Sequence, residues 1–323
     1  MDRRTFVQVA GLAALGVARS TRAQRTDLPR IGVLAPNAST LPLVAVIEGL
    51  RDLGYRDGKS VRIDVRAADG DFARLPALAA DLVRTKPDVI VSVVTQATLA
   101  AKDATSTIPI VMVAVNDPVA AGIVGNLARP GGNVTGTAIL FHAAIAKQVE
   151  IVRQLVPKAR RIDVLWNPAN VVYQQQMLGE ALIAASRNRI VANLVAVRSR
   201  EELEHALGGG SERPDAMLIL TDPLFSPMAA RIAELALARQ VPAISAWRIF
   251  PEAGALASYG PDFQVMAKRA ATYVHKILRG ARPGDLAIEQ PTRFELVVNA
   301  RTADALGLAI PRDLLARADE VLR

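Results

Sequence analysis

Arg30-Ile-Gly-Val-Leu-Ala-Pro-Asn37 returns half a chain later as Arg161-Ile-Asp-Val-Leu-Trp-Asn-Pro168. Two more echoes keep nearly the same spacing. Lys86-Pro-Asp-Val-Ile-Val-Ser-Val93 is answered by Arg213-Pro-Asp-Ala-Met-Leu-Ile-Leu220, and Ile108-Pro-Ile-Val-Met-Val113 by Val241-Pro-Ala-Ile-Ser-Ala246. The apolar runs are continuous, as strands buried on both faces require, and stretches of helical spacing separate them. The repeat therefore predicts an α/β fold of two doubly wound parallel-sheet lobes with a cleft between them. Ligands of open parallel sheets bind beyond the carboxyl ends of the strands, so those ends are the expected site.

Working outward, the first unit reads as strand 31–34, helix 43–53 stopped by Gly54, strand 61–66 and helix 72–85 with Leu75, Leu78, Leu82 and Val83 on one side. Strand 88–94, helix 95–103 and strand 110–115 follow, and Asn116-Asp117-Pro118 breaks the pattern. Pro130-Gly-Gly-Asn-Val-Thr-Gly136 leads into a first crossing between lobes. The second unit reads as strand 162–166, helix 172–187, strand 192–197, helix 199–207, strand 216–220, helix 227–239 and strand 243–246. Ser199 and Glu202 have capping-box spacing. A second crossing at 255–260, a helix at 261–278, a third crossing and a strand at 294–298 close the chain. These assignments give residues 28–136 plus 261–288 to one lobe and 137–257 plus 289–323 to the other.

Asp2-Arg-Arg-Thr-Phe-Val7, a short apolar stretch to Ala18 and Thr21-Arg-Ala23 read as a cleaved export signal over 1–23, with paired arginines of the twin-arginine kind. The apolar stretch is shorter than the roughly 20 residues that span a bilayer. The chain has no cysteine, which excludes disulfides, thiolate metal sites and a lipid-modified cysteine. The expected location is the periplasm. The signal holds four of the 39 basic and one of the 31 acidic residues, so part of the formal +8 charge leaves with it. The remaining arginines are scattered without interleaved aromatics, which argues against a nucleic-acid partner. His142, His205 and His275 lie far apart and no phosphate loop or nucleophile elbow occurs, so neither a metal, a cofactor nor catalysis is expected.

Candidate ligand-binding residues follow from the strand ends. The first half offers Asn37, Ser39, Thr95, Gln96 and Asp117; the second offers Asn167, Asn170, Asp222 and Trp247, with Tyr259 at the crossing. Thr95, where a strand feeds a helix, can present its hydroxyl and free amides to an anion such as a carboxylate, or simply cap its helix. Asp117 and Asp222 occupy corresponding places, each after a strand and before a proline, where they can hold an ammonium group or bond their own turns. Asn167 and Asn170 supply donors and acceptors. Trp247 is an apolar wall, while Trp166 is either a wall or part of the core.

Asp117-Pro118, Leu127-Ala-Arg-Pro-Gly-Gly-Asn-Val-Thr-Gly136, Val164-Leu-Trp-Asn-Pro-Ala-Asn170, Ser258-Tyr-Gly-Pro261, Ala271-Thr-Tyr-Val274 and Glu289-Gln-Pro-Thr-Arg-Phe-Glu-Leu-Val-Val-Asn299 together resemble the ABC-transporter substrate-binding proteins that include the tryptophan-binding type. The resemblance covers nearly the whole chain beyond the signal and departs at Thr95-Gln96-Ala97, where the family more often has Gly-Thr-Pro. It implies a type I periplasmic-binding-protein fold with a multi-stranded hinge. It also implies amino acids as the ligand class and delivery to an ABC permease in the inner membrane. From the residues themselves the expectation is a monomer that closes on a small zwitterion, an amino acid or derivative. The alternatives are another small solute, such as an organic acid, nucleoside or sugar, and a periplasmic sensor serving a membrane receptor.

Overall fold

The computed structural model describes residues 28–38, 41–139, 141–208 and 212–323. The export signal expected over 1–23 lies outside the described residues, as does Ser39. The first lobe runs β1 (Arg30–Ala35), α1 (Leu41–Asp52), β2 (Arg62–Ala67), α2 (Leu75–Arg84), β3 (Val89–Val93), α3 (Val94–Ala104), β4 (Ile110–Asn116) and β5 (Val134–Ile139). Its sheet is parallel throughout in the order β2-β1-β3-β4-β5. The chain then passes through α4 (Phe141–Leu155) into β6 (Arg161–Trp166), α5 (Val171–Arg187), β7 (Val191–Ala196), α6 (Arg200–Leu207) and β8 (Ala216–Ile219). It continues with α7 (Ala229–Ala238), β9 (Ala243–Ser245), α8 (Ile249–Glu252) and β10 (Ala257–Pro261). These strands are ordered β7-β6-β8-β9-β10, the order of the first sheet. The internal repeat is thus a repeat of topology.

The duplicated Pro-Asp explains why the two units begin alike. Asp88 Oδ2 accepts the backbone N–H of Arg30 at 2.8 Å, and Asp215 Oδ2 accepts that of Arg161 at 2.9 Å. In both halves the aspartate entering the third strand pins the start of the first. Strands β3 and β4 are buried along their whole length, consistent with their Val- and Ile-rich sequences. Gly54, with φ +86°, ends α1 as expected, its neighbour Tyr55 N–H reaching back to Leu50 O at 2.8 Å. Ser199 caps α6 by accepting the Glu202 N–H at 3.2 Å.

After β10 the chain returns to the first lobe as α9 (Phe263–Leu278), which packs on α1, β3, β4 and β5. It comes back as β11 (Phe294–Asn299), antiparallel to β10, then α10 (Ala300–Ala305), α11 (Arg312–Arg317) and β12 (Glu320–Leu322). The three passages between lobes form the hinge and are tied together. Ala138 N–H bonds Glu289 O at 2.8 Å, and buried Gln148 of α4 donates to Tyr259 O at 2.8 Å. Strand β4 bulges between Met112 and Val115, with Ala114 at φ +56°, and closes onto Gly136 of β5. Gly136 has φ +130°, and a Cβ there would lie 2.1 Å from Met112 O, so only glycine fits. Among the described residues no helix is long and apolar enough to cross a membrane.

Candidate functional site

Two groups of residues meet where the carboxyl ends of the sheets face each other. The first is an apolar pocket walled by Pro36 after β1, Val93 and Val94 after β3, Pro223 after β8, Ala246 and Trp247 after β9, and Phe263 of α9. Together with the open solvent at its mouth it spans about 860 Å³. Trp247 stands edge-on to Phe263, ring centroids 5.4 Å apart at 88°, and so forms a firm wall. The charged residues on its lining are Arg248, Glu252, Asp262 and Glu295. Arg248 bonds Glu252, Glu295 and Glu320 at 2.7, 2.8 and 2.7 Å, and Asp262 caps α9 by accepting the Gln264 N–H at 2.9 Å. Burial is the main cause that pushes Glu295 above the ordinary carboxylate range, against the pull of Arg248.

The second group is polar and centres on Asp222, which is fully buried. Asp222 Oδ1 accepts Asn167 Nδ2 at 3.0 Å and the Leu224 N–H at 2.9 Å. Its Oδ2 accepts Asn170 Nδ2 at 2.7 Å and Gln174 Nε2 at 3.0 Å. Desolvation raises its pKa above the ordinary range, opposed by these hydrogen bonds. No basic side chain is among its hydrogen-bond donors. From the first lobe, Gln96 Nε2 donates to Asn170 Oδ1. Further cross-lobe bonds join Asn37 Nδ2 to Pro223 O (3.5 Å), Asn116 Nδ2 to Gln176 Oε1 (3.3 Å) and Gln176 Nε2 to Asp117 Oδ2 (3.5 Å). The lobes are closed on one another.

Several expectations need correction. Thr95 does not cap α3: it sits inside the helix, buried, with Oγ1 accepting the Asn116 N–H at 3.2 Å. The helix instead starts at Val94, a β-branched residue held at φ +65°, with no side-chain cap. Such strain costs about 1–3 kcal/mol, and it leaves the first amides of α3 uncapped beside the apolar pocket. Asp117 and Asp222 are not equivalent. Asp117 is half-buried and closes its own turn by accepting the Ala120 N–H at 3.0 Å, whereas Asp222 collects donors from α5 as well. Tyr259 does not line the pocket: its neighbours Ser258 and Gly260 do, while its ring stacks on Phe294 at 5.7 Å. Alternation along β10 sets that parity. Asn37, Gln96, Asn167, Asn170, Asp222 and Trp247 do come together around the cleft. The sequence pattern also held Gln174, whose signal was its spacing from Asn170, one turn along the same helix face, whereas Gln176 carried none.

A two-lobed chain joined by three passages, with a closed cleft that holds an apolar pocket beside a polar network, is the architecture of a solute-binding protein. The chain belongs to the ABC transporter substrate-binding protein family, whose description matches residues 37–322. It is therefore a protein that captures its solute rather than an enzyme. It is 31% identical over 262 residues to the tyrosine-binding protein of Clostridioides difficile, covering 81% of this chain and 75% of that one. Its fold superposes on an ABC domain in complex with L-Trp from Streptococcus pneumonia with a TM-score of 0.83 at 25% identity, over 92% of this chain and all of that one. The ligand-free, open structure of a substrate-binding protein with adhesive properties from Clostridium difficile gives 0.66 at 26% identity, over 91% and 99% of the two chains. At near-equal identity the better match is to the ligand-bound structure, in keeping with the hydrogen bonds that bridge the lobes here.

Proposed function

We propose that the chain binds an amino acid with a large apolar side chain between its lobes and presents the closed form to an ABC permease in the inner membrane. The carrying observation is the apolar pocket walled by Trp247 and Phe263 beside a buried, unbalanced Asp222. The side chain fills the pocket. The carboxylate meets the uncapped amides of α3, where the helix dipole adds about 0.3–1 kcal/mol. The ammonium lies toward the Asp222 network, and Asn37, Gln96, Asn167 and Asn170 complete the polar surroundings. The names of the tyrosine-binding relative and of the L-Trp complex support this ligand class. The two bodies that close are residues 28–139 plus 262–288 and 141–261 plus 289–323: the breaks expected at 136 and 257 move to the ends of β5 and β10, which belong whole to the first and second sheets. Export over 1–23 by the twin-arginine route places a monomer in the periplasm.

The test is thermal unfolding of the chain after denaturation and refolding to strip ligand, against amino acids, organic acids, nucleosides and sugars. A ligand at 100 times its Kd stabilises by about 2.7 kcal/mol. Shifts confined to L-tyrosine, L-tryptophan and similar apolar amino acids are expected. A shift with only a sugar or an organic acid refutes the ligand class.

A further inference from the structure

We propose that Asp222 is not the ligand's direct counter-ion but a positioning residue, which sets Gln96 and Gln174 so that their carbonyl oxygens, one from each lobe, receive a primary ammonium. The inference rests on the reading that the ligand is an amino acid. An ionised carboxylate has about four lone-pair sites. All four on Asp222 are already used, by Asn167, Leu224, Asn170 and Gln174.

The direction of each amide follows from that carboxylate. Asn170 must turn its Nδ2 to Asp222, so its Oδ1 faces the other lobe, where Gln96 can answer only with Nε2. Gln96 Oε1 is thereby left over. Gln174 spends Nε2 on Thr221 O at 3.1 Å and on Asp222, which leaves its Oε1 over as well. Flipping either glutamine would set an oxygen against an acceptor, so neither orientation is free. Among the described residues, these two oxygens are the only buried side-chain acceptors without a partner. Both are oriented by the same carboxylate oxygen, Gln174 directly and Gln96 through Asn170.

Native interiors rarely leave such acceptors unmet, and an ammonium carries three donors to meet them. The negative charge of Asp222 polarises both amides, which strengthens their oxygens toward a cation in a site of low dielectric. Because Gln96 belongs to the first lobe and Gln174 to the second, the ammonium engages both only when the cleft is shut. The ammonium is then a signal for closure as well as for identity.

The experiment compares L-tyrosine and L-tryptophan with the des-amino analogue of each, by calorimetry on the refolded wild-type chain and on Gln96→Met, Gln174→Met and Asp222→Asn. Wild type is expected to prefer the amino acids by about 10–100-fold, the range for hydrogen bonds to a charged group. Each variant should lose most of that preference, with a far smaller change for the analogues. A purely structural role would weaken amino acid and analogue alike, and that result overturns the proposal. Gln96→Met also separates the relay from direct contact: preserved preference there, with loss in Asp222→Asn, overturns the relay. Should Gln174→Met fail to fold, half-buried Gln96 still decides the matter. Equal affinity of wild type for acid and amino acid overturns the ammonium seat alone; binding of neither overturns the amino-acid reading together with it.

Discussion

Replacing Gln176 by alanine isolates closure from ligand contact. Gln176 is exposed on α5 and stands apart from the apolar pocket, yet it bridges the cleft with both ends of its amide, to Asn116 at 3.3 Å and Asp117 at 3.5 Å. Both bonds lie at or beyond the long edge of the usual range, so each contributes near the lower bound of about 0.5–1.5 kcal/mol. Together they favour the closed form by about 1 kcal/mol, which is about fivefold in the closed-to-open ratio. Neither bond stabilises a single lobe. The variant should therefore melt like wild type without ligand, while amino acid leaves about fivefold faster and arrives at an unchanged rate. Stopped-flow fluorescence reports this directly, since Trp247 lines the pocket. An unchanged release rate, or a loss carried by the association rate, would refute the assignment of Gln176 as a bridge that forms only on closure.

Two other perturbations probe the hinge. A Cβ at Gly260 would lie 2.2 Å from the Ala246 carbonyl oxygen, so Gly260→Ala should cost at least the about 1–3 kcal/mol typical of overpacking in urea unfolding. Gly179→Ala in α5, where a Cβ meets nothing, should be neutral or gain up to about 1 kcal/mol; equal effects from the two would sink the steric argument. The second perturbation is acid. Arg269 clamps Glu289 at the hinge with bonds of 2.5 and 2.7 Å and holds its carboxyl below the ordinary range, burial opposing. A folded pKa lowered in this way adds stability above the unfolded pKa, and that stability is lost as pH falls through the folded one. Glu289→Gln should flatten the acid limb of stability against pH, less so in high salt because the pair is partly exposed. An unaltered acid limb would remove the clamp from the account.

The strands were legible because parallel strands buried on both faces announce themselves as apolar runs, and because the Pro-Asp pins repeat. Helix α4 packs on α5 and β8 to β10 as α9 packs on α1 and β3 to β5, but its buried face of Ile145, Val149 and Val152 is a spaced pattern, weaker in the sequence than an unbroken strand run. Strand β12, three residues long, is too short for any pattern to show. At the site, the strand-end rule gathered Asn167, Asn170 and Asp222. It could not tell Asp222 from Asp117, because both stand in the same sequence setting. What separates them is α5, which lays Gln174 over Asp222 and buries it, while the turn at Asp117 stays half-open to solvent.

On the proposed reading, that difference between the halves makes a duplicated fold into a directional binder. Two identical lobes would offer a ligand two equal ends, and an amino acid has two unlike ones. Here the first lobe supplies the uncapped start of α3, suited to a carboxylate, because strained Val94 begins the helix without a side-chain cap. The second supplies the buried carboxylate that orients its neighbours as acceptors. Asn170 and Gln96 join the two across the cleft, so the polarity fixed in one lobe reaches the other only when they close. On the proposed reading, orientation of the ligand and closure of the hinge depend on the same hydrogen bond. A solute lacking either end would be held by the pocket alone and would give up the contacts that distinguish the closed state from the open one.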